Sequence, residues 1–342
     1  MKPLLNTLFI TTPSAYLSKD GETVVVRVDQ EIRLRLPIHT LSGIVSFGPV
    51  SFSPFLLGLC AEKGVAVTML TEHGRFLAAI HGPVSGNVLL RRAQYRAADH
   101  PPTRLSIARF FVAGKITNAR TVLLRAARES PDEKSADIET TSSSLAAALP
   151  HVESAASLDE LRGLEGDAAR RYFSVLPDLI RPSHPAWKMN GRSRRPPLDP
   201  VNALLSFLYT LLVHDVRGAL MAVGLDPAVG YLHADRPGRP GLALDLMEEF
   251  RPFLADRLTL TLINRRQIAP EDFRTAEGGA VLLSEQARKT VLQAWQQRKQ
   301  EEILHPVLSE RVPVGLLPFI QSMLLARFLR GELPGYPPFL WR

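Results

Sequence analysis

Only one cysteine, Cys60, stands among the 342 residues, so no disulfide can form within the chain and no cysteine cluster can hold zinc. That usage fits a reducing compartment. The opening Met1-Lys-Pro-Leu-Leu-Asn6 has neither the apolar core nor the small-residue cleavage site of a secretory leader, which predicts a cytoplasmic product. Long apolar runs are missing as well. The longest, Ala203 to Val213, is interrupted by Ser206 and Thr210 and is too short for a bilayer, so no membrane is expected as a partner. Phosphate-cradling glycine loops are absent: Gly278-Gly279 has no Lys-Ser/Thr beside it, and no Gly-x-Gly-x-x-Gly follows a strand. Without a nucleophile elbow, covalent serine or cysteine catalysis has no sign in the chain.

What is present is an ordinary soluble composition, 45% hydrophobic and 22% charged, long enough for two domains with substantial cores. The net charge of +7 is uneven. Residues 1–96 and 97–127 each carry +4, residues 128–160 carry −6, and residues 161–342 carry +5. Outside its acidic middle the chain is therefore +13, an excess that favours a polyanionic partner.

The first 85 residues read as a β-domain. Leu4 to Thr12, Glu22 to Val28, Glu31 to Leu36, Val65 to Leu70 and Phe76 to Ile80 have strand character. Ile32, Leu34 and Leu36 alternate with Arg33 and Arg35, the mark of a half-buried strand with a solvated basic face. Ser53-Pro54 opens a helix that stops near Gly64. Residues 86–342 read as helical: 87–96, 104–128, a capping box Ser157-Leu-Asp-Glu160 opening a helix to about Leu176, and Asp199-Pro200 opening a long buried helix to Gly224. Leu258 to Ile263 alternates like a short strand or extended segment. Helices follow at 284–304 and 314–330. The fold class expected is α+β, a β-rich N-terminal domain followed by an all-α domain. Glu129 to Ala148 is acidic, serine-rich and without evident period, and reads as a mobile insertion.

Two places carry chemistry. In the helix after Ser157, Glu165 shares a stripe with Ala168, Ala169 and Tyr172, and the small alanines let another helix approach that acid. Further on, Gly230-Tyr-Leu-His233-Ala-Asp-Arg236-Pro-Gly-Arg239-Pro-Gly runs into Asp245-Leu-Met-Glu248-Glu249. Spacings of i, i+3 and i+4 put the three acids on one helix face, opposite Leu246, Phe250, Phe253 and Leu254. That face is either a solvated acidic surface or half of a metal site completed by His233 from the preceding loop. Carboxylates with one imidazole suit Mg2+ or Mn2+ better than zinc. Basic residues that can meet phosphates lie at Arg109 to Arg125, at Lys188 and Arg192, at Arg236 and Arg239, and at Arg288 and Lys289.

The order Glu165, Asn202-Ala-Leu-Leu-Ser206, His233, Asp245-Leu-Met-Glu248 resembles the Cas1 family of CRISPR adaptation integrases. So do Ala15-Tyr-Leu-Ser-Lys-Asp-Gly21, Glu72-His-Gly-Arg-Phe76, Pro83-Val-Ser-Gly-Asn87, Arg195-Pro-Pro-Leu-Asp-Pro200 and the ending Tyr336-Pro-Pro-Phe-Leu-Trp341, in a form similar to type I-C members. The resemblance covers essentially the whole chain. It implies a helical catalytic domain, a homodimer that joins the Cas2 protein, and insertion of short DNA fragments into a CRISPR array with associated endonuclease activity. Its metal and catalytic residues fall on Glu165, His233, Asp245 and Glu248, the last often Asp in the family. Glu249 is then a supporting or solvent-facing acid, and Arg239 or Arg236 the basic residue after the histidine loop. A stand-alone metal-dependent nuclease and a non-catalytic DNA-binding scaffold are the rival readings, which a strand-joining assay separates.

Overall fold

A computed structural model describes residues 7–41, 43–72, 76–80, 88–128 and 132–341. His73 to Arg75 and Pro83 to Asn87, which carry two of the family-like motifs, lie outside the described residues. The chain divides into two compact units: residues 1–86 with 292–301 and 313–316, and residues 87–291 with 302–312 and 317–342. The first contains sheets and the second is mainly helical, so the fold class is α+β.

In the first unit, β1 (Thr7–Ile10), β2 (Tyr16–Asp20), β3 (Thr23–Val28), β4 (Glu31–Pro37), β5 (Gly43–Phe47), β6 (Ser51–Phe52), α1 (Pro54–Lys63), β7 (Ala66–Leu70) and β8 (Phe76–Ile80) follow one another. They build two four-stranded sheets, ordered β1-β5-β7-β8 and β4-β3-β2-β6. Gly21 turns β2 into β3 at φ +57°, and Asp29 and Gln30 both take positive φ between β3 and β4, as a tight hairpin requires. Ser53 accepts the Leu56 N–H at 3.2 Å and Gly64 ends α1 at φ +72°, so the cap and stop signals act as the residues suggest. Leu17, Val24, Ile44, Leu56, Cys60 and Val67 share the core, and burial pushes the Cys60 thiol up to about 11, leaving it unreactive. β4 departs from the half-buried expectation: it is an edge strand, and Ile32 and Leu34 are themselves 45% and 37% exposed. Arg33 and Arg35 pair with Glu31 and Asp20 on its surface.

The second unit runs through α2 (Val88–Asp99), α3 (Pro101–Ala127), α4 (Asp132–Ser154), α5 (Leu158–Val175), α6 (Pro200–Ala222), α7 (Gly241–Met247), a π-helical turn Arg251–Asp256, α8 (Arg257–Asn264) and α9 (Glu285–Gln300), whose second half belongs to the first unit. α10 (Leu317–Leu329) follows, and the segment to Trp341 has no regular structure. Ser157 accepts the Glu160 N–H at 3.1 Å while Glu160 accepts the Ala156 N–H at 2.7 Å, a capping box displaced by one residue. Asp199 caps α6 through the Asn202 N–H at 2.8 Å. By length and composition α6 could cross a membrane, but its apolar residues are buried against α7, α8 and α10.

Two expectations are corrected here. Leu258 to Ile263 is helix α8, not a strand. Five of its eight residues are buried, and the other three, Arg257, Thr261 and Asn264, recur at helical spacing on one face, a period that the alternation of Leu and Thr conceals. The acidic 129–148 segment forms α4 from Asp132 onward, packed on α3 and α5. Ile138, Ser142, Leu145 and Val152 are buried along one stripe with heptad spacing, a period that the surrounding serines and acids conceal. Leu145→Ala is expected to lower stability by roughly 2–5 kcal/mol in urea denaturation, as for other buried leucines. A change within error would return α4 to the status of a loosely attached insertion.

Candidate active site

The helical unit gathers its buried charges around one short stretch, residues 230–256. Its first part is a loop held from both sides. Asp245, fully buried on α7, accepts the N–H of Tyr231 at 2.6 Å and Leu232 at 3.0 Å on Oδ2, and that of His233 at 3.0 Å on Oδ1. The carbonyls point the other way. Arg104 donates to Tyr231 O at 2.9 Å, and Arg162 donates Nε and Nη2 to Leu232 O at 3.0 and 2.8 Å. The close approach depends on two glycines: a Cβ on Gly230 would lie 2.7 Å from Gly241 C, and one on Gly241 would lie 2.7 Å from Ala228 O.

His233 Nδ1 stands 2.6 Å from Asp245 Oδ1. With three backbone N–H groups already donating to that carboxylate, Nδ1 donates the fourth bond, and Nε2 takes no part in that contact. Asp245 is expected among the metal ligands; here both its oxygens accept bonds within the protein, and one of them faces the His233 imidazole.

Glu248 follows the end of α7 and is 4% exposed. Its Oε1 accepts from Arg251 Nη1 at 2.5 Å, and its Oε2 lies 2.7 Å from Lys115 Nζ. Burial alone would raise this carboxyl. The Arg251 guanidinium, the Lys115 ammonium and nearby His233 together hold it down at about 2. Lys115 also touches Glu165 Oε1, so two acids from α5 and the α7 end converge on one ammonium from α3. Among the described residues, no three His, Cys, Asp or Glu side chains stand together in an arrangement that could hold a metal ion while Lys115 lies between the two acids.

Glu249 is completely buried on a different side, neither solvent-facing nor aligned with Glu248. It accepts from Tyr336 Oη at 2.7 Å, Phe339 N–H at 2.8 Å and Gln321 Nε2 at 3.1 Å, and so anchors the C-terminal segment. The single helix face predicted for the three acids fails because α7 ends at Met247. Beyond it the backbone passes through a turn and then the π-helical turn. Each acid thereby meets its own partners.

The basic candidates divide. Arg236 and Lys188 are exposed. Burial, followed by the charges of Arg236, Arg195 and Arg162, lowers the Arg239 pKa, so four guanidiniums crowd one region beside the histidine loop. Arg192 is instead largely internal: it donates to Asn202 Oδ1 at 2.6 Å and Ser206 Oγ at 3.2 Å, with its guanidinium 5.3 Å from the Tyr209 ring. Lys289 pairs with Glu285 at 2.8 Å on α9, where Arg288 is also placed. The α3 basic residues do not line a free surface, since Lys115 is buried, Arg109 donates to Ala155 O at 2.6 Å, and Arg125 stacks 3.9 Å over Trp341.

Sequence reasoning placed Lys115 among the phosphate-facing residues of 109–125, where the structure buries it, and missed Arg251. Lys115 sits inside the apolar run Val112-Ala-Gly-Lys-Ile116, and a cation there demands a buried anion; that signal was available. Arg251 sits three residues after Glu248, the spacing of a helical ion pair.

Residues 8–297 match the family model described as CRISPR associated protein Cas1. The chain belongs to the Cas1 family. It is 55% identical, over the full length of both chains, to the CRISPR-associated endonuclease Cas1 1 of Chlorobaculum tepidum, and 52% identical over the same full span to the CRISPR-associated endonuclease Cas1 2 of Rhodospirillum rubrum. In fold it is similar to the Cas1 protein TM1797 of Thermotoga maritima, with a TM-score of 0.83 at 24% identity over 95% of this chain and 97% of that one. A casposase bound to its integration product shares the fold at a TM-score of 0.85 and 21% identity, over 98% of this chain and 94% of the casposase.

One electrostatic consequence can be measured without DNA. Burial raises the Glu249 carboxyl from 4.5 to about 8, although Phe339, Tyr336 and Gln321 oppose the shift. Between those values the folded protein keeps a proton that the unfolded chain has lost, so stability falls as pH rises from about 4.5 to about 8. Glu249→Gln is expected to remove that slope from a plot of unfolding free energy against pH. An unchanged slope would show that Glu249 is ionised in the folded protein.

Proposed function

We propose that this Cas1 protein is a metal-dependent DNA integrase, inserting short DNA fragments into a CRISPR array by transesterification. The observation that supports it most directly is the convergence of Glu165 and Glu248 on one cationic centre, near the His233 imidazole whose Nδ1 is turned to Asp245. Oxygen donors from two carboxylates and one imidazole nitrogen form a set suited to Mg2+ or Mn2+. Glu165, Glu248 and His233 would hold the ion, with Asp245 behind His233 fixing its tautomer and direction. Such an ion lowers the pKa of a bound hydroxyl and stabilises charge on phosphate oxygens.

The protein's own groups supply the rest. Arg251 keeps Glu248 ionised. Arg104 and Arg162 hold the carbonyls of the loop that carries His233, so the imidazole does not have to be ordered when DNA arrives. Arg236, Arg239 and Arg195 are grouped to bind backbone phosphates and place the scissile bond, with the attacking 3′-hydroxyl at the face bounded by Glu165 and His233. Water in place of the 3′-hydroxyl gives strand cleavage. Two strands must be joined in each insertion, so a homodimer working with the Cas2 protein is the functional assembly. A solved Cas6-RT-Cas1–Cas2 complex contains a chain with this fold, at a TM-score of 0.83 and 24% identity over 98% of this chain and 36% of that one.

The test is a joining assay with purified protein, Cas2, a short duplex and a repeat-containing plasmid. Metal-dependent joining is expected, and Glu165→Ala, His233→Ala and Glu248→Ala should each abolish it while remaining folded by circular dichroism. Cutting without joining would identify a stand-alone nuclease, and neither activity a scaffold. Full joining by His233→Ala would remove that residue from the site. In parallel, DNA affinity should fall steeply with salt, the log–log slope changing by about 0.9 for each duplex phosphate that a variant no longer neutralises. Arg236→Ala with Arg239→Ala should reduce affinity at every salt concentration and slow joining at saturating DNA. A wild-type joining rate at saturation would confine these arginines to holding DNA.

A further inference from the structure

We propose that Lys115 is a tethered counter-cation of the Glu165–Glu248 site, one that a divalent ion must displace in order to bind; the proposal rests on the metal-site reading above. Lys115 lies in the middle of α3 and is 8% exposed. A buried ammonium without an anion is strongly unfavourable, and so are two buried carboxylates without a cation. Lys115, Glu165 and Glu248 solve both problems at once in the ion-free protein. At 2.7 Å the ammonium meets Glu248 Oε2 charge to charge while it also donates to Glu165 Oε1. Full opposite charges dominate both contacts, and another cation can replace charge.

The protein also offers the displaced ammonium somewhere to go. A cavity of about 20 Å³, room for one water-sized group, is lined by Lys115 itself together with Ala169, Tyr172, Tyr209, Arg251 and Asp256. The Tyr172 and Tyr209 hydroxyls there are both turned to the Asp256 carboxyl. The space lets the flexible four-carbon stem of Lys115 swing off the two carboxylates, and α3 need not move. Two consequences follow for the family reaction. The site stays folded and neutralised when no ion is bound, and ion binding is weakened by competition with a group that cannot diffuse away.

The experiment uses the full-length protein and Mn2+ as probe, with free Mn2+ read by electron paramagnetic resonance. Lys115→Met is expected to bind Mn2+ roughly tenfold more tightly than wild type, the scale of one charge-assisted interaction removed from competition. It should also show a larger Mn2+-induced rise in Tm. Equal or weaker binding by Lys115→Met overturns the proposal alone, whereas wild-type protein that binds no Mn2+ overturns the metal-site reading with it. Should Lys115→Met fail to fold, wild-type protein labelled with 13C at lysine Cε is titrated with Mg2+. One of its eight lysine signals, assigned by its loss in Lys115→Arg, is expected to shift in proportion to site occupancy. Saturation without such a shift overturns displacement.

Discussion

A carboxylate withdrawn from water must be met by donors or cations, and in this protein Asp245, Glu248, Glu249 and Asp256 are all withdrawn within twelve positions of the chain. Much of the helical unit is arranged to answer them. The loop 231–233 closes on Asp245, α3 and the π-helical turn bring Lys115 and Arg251 to Glu248, and the C-terminal segment closes on Glu249. Asp256 takes the Tyr209 hydroxyl at 2.6 Å, and Tyr209 in turn lies beneath the Arg251 guanidinium at 4.1 Å. Burial still keeps Asp256 raised to about 6, so its partners offset only part of the desolvation.

Two kinds of support result, and they differ mechanically. The histidine is held by directed hydrogen bonds to both edges of its loop, so its orientation is fixed before any ligand arrives. The two glutamates are held by cations, Lys115 on both and Arg251 on Glu248 alone. The imidazole is thus fixed by direction and the carboxylates chiefly by charge balance. Asn118 extends the scaffold by donating Nδ2 to Glu249 O at 2.7 Å and to Phe339 O at 2.8 Å while accepting the Trp341 N–H at 2.8 Å. The last residues of the chain thereby brace the turn that carries Glu248.

Much of the architecture was legible in the residues. Caps at Ser53, Ser157 and Asp199 act locally through one side-chain oxygen and one nearby N–H, so a sequence displays them directly. The strand-to-helix change near residue 87 is equally local. α4 and α8 were misread for opposite reasons. In α4 a thin buried stripe is diluted by serine and acid, and in α8 a helix of only eight residues alternates Leu with Thr, which conceals the period of its less buried face at Arg257, Thr261 and Asn264.

For the site, the sequence by itself determined the cast: an acid among small residues at 165, a histidine in a glycine- and proline-bounded loop, and acids at 245, 248 and 249. Residue type and spacing carry that much, because donor chemistry belongs to the side chain. Only the tertiary structure decided which acid does what. α7 stops at Met247, the helical register is lost, and neighbours in sequence turn to different elements. Lys115 is fifty residues before Glu165 and more than a hundred before Glu248, and no spacing rule connects groups so far apart. They meet because a buried charge of one sign must find the other wherever the fold can bring it.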